Sequence, residues 1–223
     1  MLSDFGIEYD KPVFETKFEL SSRESENLDK SNLGPMLADA IYHEINSNSI
    51  HTDISILAAG VVRSQVNPGK SGKQNIADIF RVMPLGKGED DMPGYSLAQV
   101  YLSGKELKNL MEVLLMIRES QTSSRCCFSG VKVYVDFEKG LLNKVQKIEI
   151  GNEEIGYKKI DLSKKNEKLY GISANAYMLE FLGMIKKKTL GLVKVKPKLK
   201  DGSKLVNIRD AVLDFDPEKE GIQ

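Results

Sequence analysis

Hydrolysis needs a nucleophile with its base, an acid–base pair or a metal, and few residues of this chain have the type and spacing for any of them. Only two histidines occur, His43 and His51. The first falls on the polar side of an expected helix and the second in the loop after it, positions ordinary for surface histidines. Cys126 and Cys127 are adjacent, and a bridge between neighbours would close a small, strained ring. They read as two free thiols, one buried and one exposed, and their spacing suits neither a disulfide framework nor a zinc site. Residues 69–73 (GKSGK) fail the GxxxxGK[ST] spacing of a phosphate-binding loop and read as a turn. In residues 151–154, Glu153 stands where a Gly-Asn-His metal motif needs its histidine. The acids Glu89, Asp90 and Asp91 and the lysines Lys186, Lys187 and Lys188 read as solvated charge. No metal set and no catalytic machine is visible in the chain alone.

The surroundings of these residues narrow the class. The chain has 223 residues, 41% of them hydrophobic, enough for one large domain with a real core. Lysine plus arginine equals aspartate plus glutamate at 32 each. Zero net charge argues against a nucleic-acid partner, whose affinity comes mostly from neutralised phosphates. No apolar run approaches the roughly 18 residues of a membrane span. The acidic opening residues show no signal peptide.

Periodicity supplies the elements. Residues 1–22 read as an irregular or extended lead-in and 21–32 as a loop. A helix is expected over 32–46, with Pro35 tolerated in its first turn. A buried strand over 54–63 ends at the turn 67–72, and a short helix covers 75–83. A loop over 84–94 leads to a strand over 95–104. The clearest helix is 104–120, where Leu107, Leu110, Met111, Leu114 and Leu115 recur at helical spacing. Strands follow at 131–140, 144–151 and 167–175, and then a helix over 176–188 with a basic last turn. An edge strand over 192–202, limited by Pro197, precedes a last short helix at 207–215. Helices and strands mix without regular βαβ alternation. The expectation is therefore an α+β fold, a mixed sheet with interspersed helices. The division is a lead-in at 1–23, one domain at 24–215 and a tail at 216–223.

Seven blocks in order then resemble one family. Residues 32–40 (NLGPMLADA) are similar to its NLGNLxADA helix start, and 54–63 (ISILAAGVVR) to its strand ending in NGGGIR. Residues 75–86 (NIADIFRVMPLG) resemble a T-x-x-D block closed by P-F-G, and 102–112 (LSGKELKNLME) a strand-to-helix junction. Residues 127–136, 145–150 and 170–177 (YGISANAY) resemble its later strands, the last matching Y-x-V-a-x-N-D-Y. Together they resemble the C-terminal domain of the 5'-nucleotidases and related UDP-sugar and cyclic-nucleotide hydrolases.

The resemblance implies a 5'-nucleotidase C-terminal-domain-like fold and a place in nucleotide catabolism. It implies an upstream metallophosphoesterase domain carrying two divalent metals, and so no cofactor in this chain. It also implies a periplasmic, secreted or cell-surface setting for the whole protein, while the chain itself leaves the compartment open. In the family this domain binds the nucleoside, with an arginine near the first helix, the GGIR arginine, the asparagine before the glycines, and two phenylalanines that sandwich the base. Such a clamp suits any base, because every base has a π face.

Mapped onto this sequence, Arg63 matches the GGIR arginine and Gly60 one of its glycines. Ala58 stands in place of the asparagine, Leu85 in place of the first phenylalanine, and Pro35 in place of the second asparagine of NLGNL. Asn27 falls where the first-helix arginine is expected, with Arg23 close by. After Asn175 and Tyr177 the loop carrying the second phenylalanine is missing, and residues 178–184 take its place. The substrate-binding residues implied are thus Arg63, Gly60, Leu85, Asn175 and Tyr177. Arg63 can equally be a strand-end arginine that holds a loop, Asn175 a cap for the helix behind it, and Phe181 a core residue. The expected function is the substrate-specificity domain of a 5'-nucleotidase-like hydrolase, a fragment inactive alone, with a degenerate nucleoside site. Its ligand would be a small phosphorylated molecule such as a nucleotide, held weakly. The alternative is a non-catalytic binding or interaction module that keeps only the fold.

Overall fold

A computed structural model describes residues 8–21, 32–48, 50–87, 94–120, 125–179, 189 and 193–213. Four strands form the central sheet in the order β4-β9-β2-β5: β2 (Ile54–Ala58), β4 (Leu97–Ser103), β5 (Cys126–Ser129) and β9 (Leu169–Asn175). β9 runs parallel to β2 and antiparallel to β4, and β2 runs antiparallel to β5. All five residues of β2 are buried, because it lies inside the sheet with both faces covered. That is why it reads as an unbroken apolar run.

Alternation along the strands splits the core. Ile54, Ile56 and Ala58 of β2, with Ile172 and Ala174 of β9, join α3 (Gly104–Ser120) through Leu107, Leu110, Met111 and Ile117. Leu57 turns the other way and packs with α1 (Leu33–Ser47) through Leu33, Ala38, Ile41 and Ile45. The antiparallel meander β6 (Val131–Val135), β7 (Val145–Asn152), β8 (Gly156–Lys159) adds Val145 and Ile148 to the α3 side. Two helices thus cover the central sheet, and the meander packs on α3. The fold is α+β, as expected.

Local chemistry sets the boundaries. Glu106 accepts from the backbone N–H and the hydroxyl of Ser103, whose oxygen accepts from the Glu106 N–H. This reciprocal capping starts α3 directly after β4. Burial raises the Glu106 carboxyl, but hydrogen bonds from Lys198 and Ser103 outweigh it and hold the group below the usual carboxylate value. Asn75 and Asp78 make the same capping box at the start of α2 (Ile76–Val82).

Several elements differ from the sequence reading. The strand expected over 54–63 stops at Ala58, where a 3-10 turn (Ala59–Val61) takes over. Residues 127–136 are not one strand. Gly130, at φ 79°, separates β5 from β6 and sends them to different sheets; a Cβ there would lie 2.4 Å from the Asp53 carbonyl oxygen. No edge strand forms among the described residues of 192–202. Lys198 bridges Tyr101 and Lys204 singly, and Pro197, without an N–H, cannot extend the ladder. The last helix is one 3-10 turn, Ile208–Ala211. Of the helix expected over 176–188, residues 176–179 are helical and the rest lie outside the described residues, as do Asn27, Arg23, the acids 89–91, Phe181 and the lysines 186–188. Part of the lead-in is docked: β1 (Pro12–Glu15) pairs with β3 (Lys73–Asn75), and Leu20 is buried opposite Val66.

Candidate functional site

Parallel neighbours β2 and β9 end on the same side of the sheet, and the chain leaves both there in tight turns. β2 passes into the 3-10 turn containing Gly60, then to Arg63. β9 passes into the helical turn containing Tyr177. The loop after α2 brings in Leu85, and the approach to β4 brings in Tyr95. These five residues line one cavity of about 410 Å³. Carboxyl ends of parallel strands are where sheet proteins characteristically hold ligands.

Each side chain has a definite setting. Arg63 is exposed at the cavity; its backbone N–H donates to the Val82 carbonyl at 2.8 Å, and its Nη1 donates to the Gly60 carbonyl at 3.3 Å. The first bond fixes the chain to the end of α2, and the second uses one of the guanidinium's five donors. Leu85 is 38% exposed and presents only carbon to the space. Tyr95 and Tyr177 stack, their centroids 5.3 Å apart and their planes 21° off parallel. Gly86, at φ 89°, makes room for Tyr95, since a Cβ there would lie 2.5 Å from the ring.

Of the five residues drawn from the resemblance, Gly60, Arg63, Leu85 and Tyr177 share the cavity lining and Asn175 does not. Asn175 is 2% exposed, and its Oδ1 accepts from the Met178 N–H at 3.1 Å, capping the turn that carries Tyr177. It positions the site from behind.

Sequence reasoning misses Tyr95. The signal available is an aromatic residue directly after a Pro/Gly/acid loop, but its partner lies far along the chain. Cys126 and Cys127 form no disulfide and are both partly buried, not one in and one out. As consecutive residues of β5 they face opposite sides of the sheet, Cys126 towards the α3 core and Cys127 towards α1. Burial pushes the Cys126 thiol up to about 12. It lines the inner wall of the cavity as a neutral group.

His43 and His51 are both exposed, and among the described residues no three His, Cys, Asp or Glu side chains gather to hold a metal ion. Nor is any described helix long and apolar enough to cross a membrane.

A mixed sheet covered by two helices, with a cavity at the carboxyl ends of its parallel pair, makes this an α+β domain. The family model described as "5'-nucleotidase, C-terminal domain" matches residues 12–183, and the chain belongs to that family. No curated protein is matched by its sequence. Among solved structures, a 5'-nucleotidase precursor from Thermus thermophilus superposes with a TM-score of 0.61 at 20% identity, covering 87% of this chain and 34% of that one. The NAD nucleotidase NadN of Haemophilus influenzae gives 0.59 at 20% identity, covering 82% and 31%. A putative 5'-nucleotidase from Staphylococcus aureus gives 0.55 at 12% identity, covering 92% and 36%. At these identities the likeness is one of fold. The chain spans about a third of the length of the structures it matches.

Proposed function

We propose that this chain is the substrate-specificity domain of a 5'-nucleotidase-like metallophosphoesterase, inactive alone, with Arg63 facing the substrate and a degenerate nucleoside site. The observation that carries the reading is convergence. Gly60, Arg63, Leu85 and Tyr177, drawn from three separate sequence blocks, line one cavity. Arg63 supplies a permanent cation for a phosphate or a ribose hydroxyl, and the turn capped by Asn175 sets the wall opposite. No donor set among the described residues fits a metal centre; the family resemblance implies that the two divalent metals are carried by an upstream phosphoesterase domain, and no step is assigned to them in this chain. Degeneracy follows from Ala58, which cannot hydrogen-bond through its side chain, and from Leu85, which has no π face.

The same two residues favour the rival, a binding module without turnover. Expression of the intact open reading frame from its native locus separates them. Metal-dependent release of phosphate from a phosphomonoester, with kcat/KM lowered several-fold by Arg63→Ala at unchanged melting temperature, supports the proposal. A product without metal-dependent phosphatase activity on any monoester tested supports the module.

A further inference from the structure

The interior of the cavity differs in character from its mouth. At the mouth stand Arg63 and the Tyr95–Tyr177 pair. Further in, Val100 and Ile172 of the sheet face Leu114 and Ile117 of α3, so both walls are hydrocarbon. Beyond the mouth, the side-chain hetero-atoms among the described residues of the lining are two sulfurs, the Met178 thioether and the Cys126 thiol that burial keeps protonated. Neither carries charge.

A nucleoside is badly matched to such walls. Its base edge and ribose carry several donors and acceptors, and each one buried without a partner loses its hydration uncompensated. The tyrosine rings stack directly on each other and leave no slot for a base between them. An apolar group loses nothing on entering and gains the full hydrophobic transfer. Size agrees: a dry apolar cavity of about 150 Å³ takes up one benzene, and this one measures about 410 Å³.

Resting on the function proposed above, we infer that the cavity takes the phosphate monoester of an apolar alcohol, its hydrocarbon tail between the sheet and α3 and its anionic head at Arg63. Arg63 is the one cationic residue among the described residues of the lining, and it stands at the end of the cavity where the hydrocarbon walls give way to solvent. The arrangement therefore orients an amphiphilic anion head-outward. It discriminates by the tail, where the family resemblance implies recognition of a base.

Calorimetry on the full chain with octyl phosphate, butyl phosphate, inorganic phosphate and AMP tests this. Octyl phosphate is expected to bind at least tenfold more tightly than butyl phosphate and a hundredfold more tightly than AMP. Inorganic phosphate should not register. Arg63→Ala should weaken octyl phosphate by up to about fivefold, and Ala174→Phe, which projects a ring into the cavity, should abolish binding. Should Ala174→Phe fail to fold, the dependence on tail length in the unaltered chain decides the matter. AMP preferred over octyl phosphate, with the preference lost in Arg63→Ala, overturns the inference and with it the degeneracy of the nucleoside site, while keeping Arg63 on the substrate. Binding of neither ligand overturns the inference alone, since a degenerate nucleoside site gives the same silence with AMP.

Discussion

Tyr95 and Tyr177 stack at the cavity, centroids 5.3 Å apart and planes 21° off parallel, so that each ring covers part of one π surface of the other. The consequence for nucleosides is direct. Leu85 stands where the family resemblance places one clamp ring, and the two tyrosines hold each other. If each base–ring stack is worth about 1–3 kcal/mol, losing both weakens a nucleoside by orders of magnitude. An exposed arginine–anion contact restores about 0–1 kcal/mol. Adenosine and AMP should therefore show no calorimetric signal at submillimolar ligand, with Leu85→Phe recovering part of the binding. An affinity tighter than about 100 μM, roughly 5.5 kcal/mol, would show that the tyrosine pair opens to admit a base.

Glu112 ties the meander to α3. It is 4% exposed, its Oε1 accepts from the Val145 N–H at 2.8 Å, and its Oε2 accepts from the Lys144 N–H at 3.1 Å. Glu112→Ala leaves two backbone donors without their acceptor, at about 1–3 kcal/mol for each one that stays buried. Urea denaturation should show a loss of about 2–4 kcal/mol, by the same reckoning. Glu112→Gln keeps one acceptor oxygen and should lose less. Equal stability of Glu112→Ala and the parent would mean that β7 is held without this carboxylate.

Gly34 lies where α1 crosses β5, and a Cβ there would sit 2.5 Å from Cys127 Sγ. Gly34→Ala forces one of the two apart, an overpacking that costs about 1–3 kcal/mol. In a Cys127→Ala background the obstructing sulfur is gone, and the same change should cost much less. A double-mutant cycle measures the coupling. Additive losses would show that the helix shifts as a body without meeting the thiol.

How far the sequence discloses this molecule depends on where each signal resides. The helix α3 is legible because Leu107, Leu110 and Met111 repeat at its own period, and β2 because burial on both faces leaves it almost without polar residues. β3 (KQN) and β8 (GYKK) are illegible: each is short and polar, and each exists only because a partner strand is present. Four of the five candidate site residues could be placed by resemblance, and they share a cavity. Asn175 could not be placed in the lining from its motif, because strand alternation turns it away from the Ala174 side of β9. Tyr95 gains its role from Tyr177 across the fold, and the hydrocarbon interior comes from residues that read only as core.

Cys126 makes stability fall with alkaline pH. Burial, with the neighbouring Cys127 thiol adding to it, pushes the folded thiol up to about 12. An unfolded cysteine ionises near 8.5. Below that value both states hold the proton and the group leaves stability unchanged. Between the two values the unfolded state has lost its proton while the folded state keeps it, so unfolding becomes easier as pH rises, by about 1.4 kcal/mol per pH unit. Burial raises Tyr42 and Tyr101 as well, which steepens the fall in the same direction, so the cysteine's share must be read as a difference. From pH 8 to pH 10, under reducing conditions, the parent should lose about 2 kcal/mol more than Cys126→Ala in urea denaturation. The alanine variant starts less stable, because it enlarges the cavity, and the gap should narrow as pH rises. Parallel pH profiles for the two proteins would place Cys126 in contact with water and remove the neutral thiol from the cavity wall.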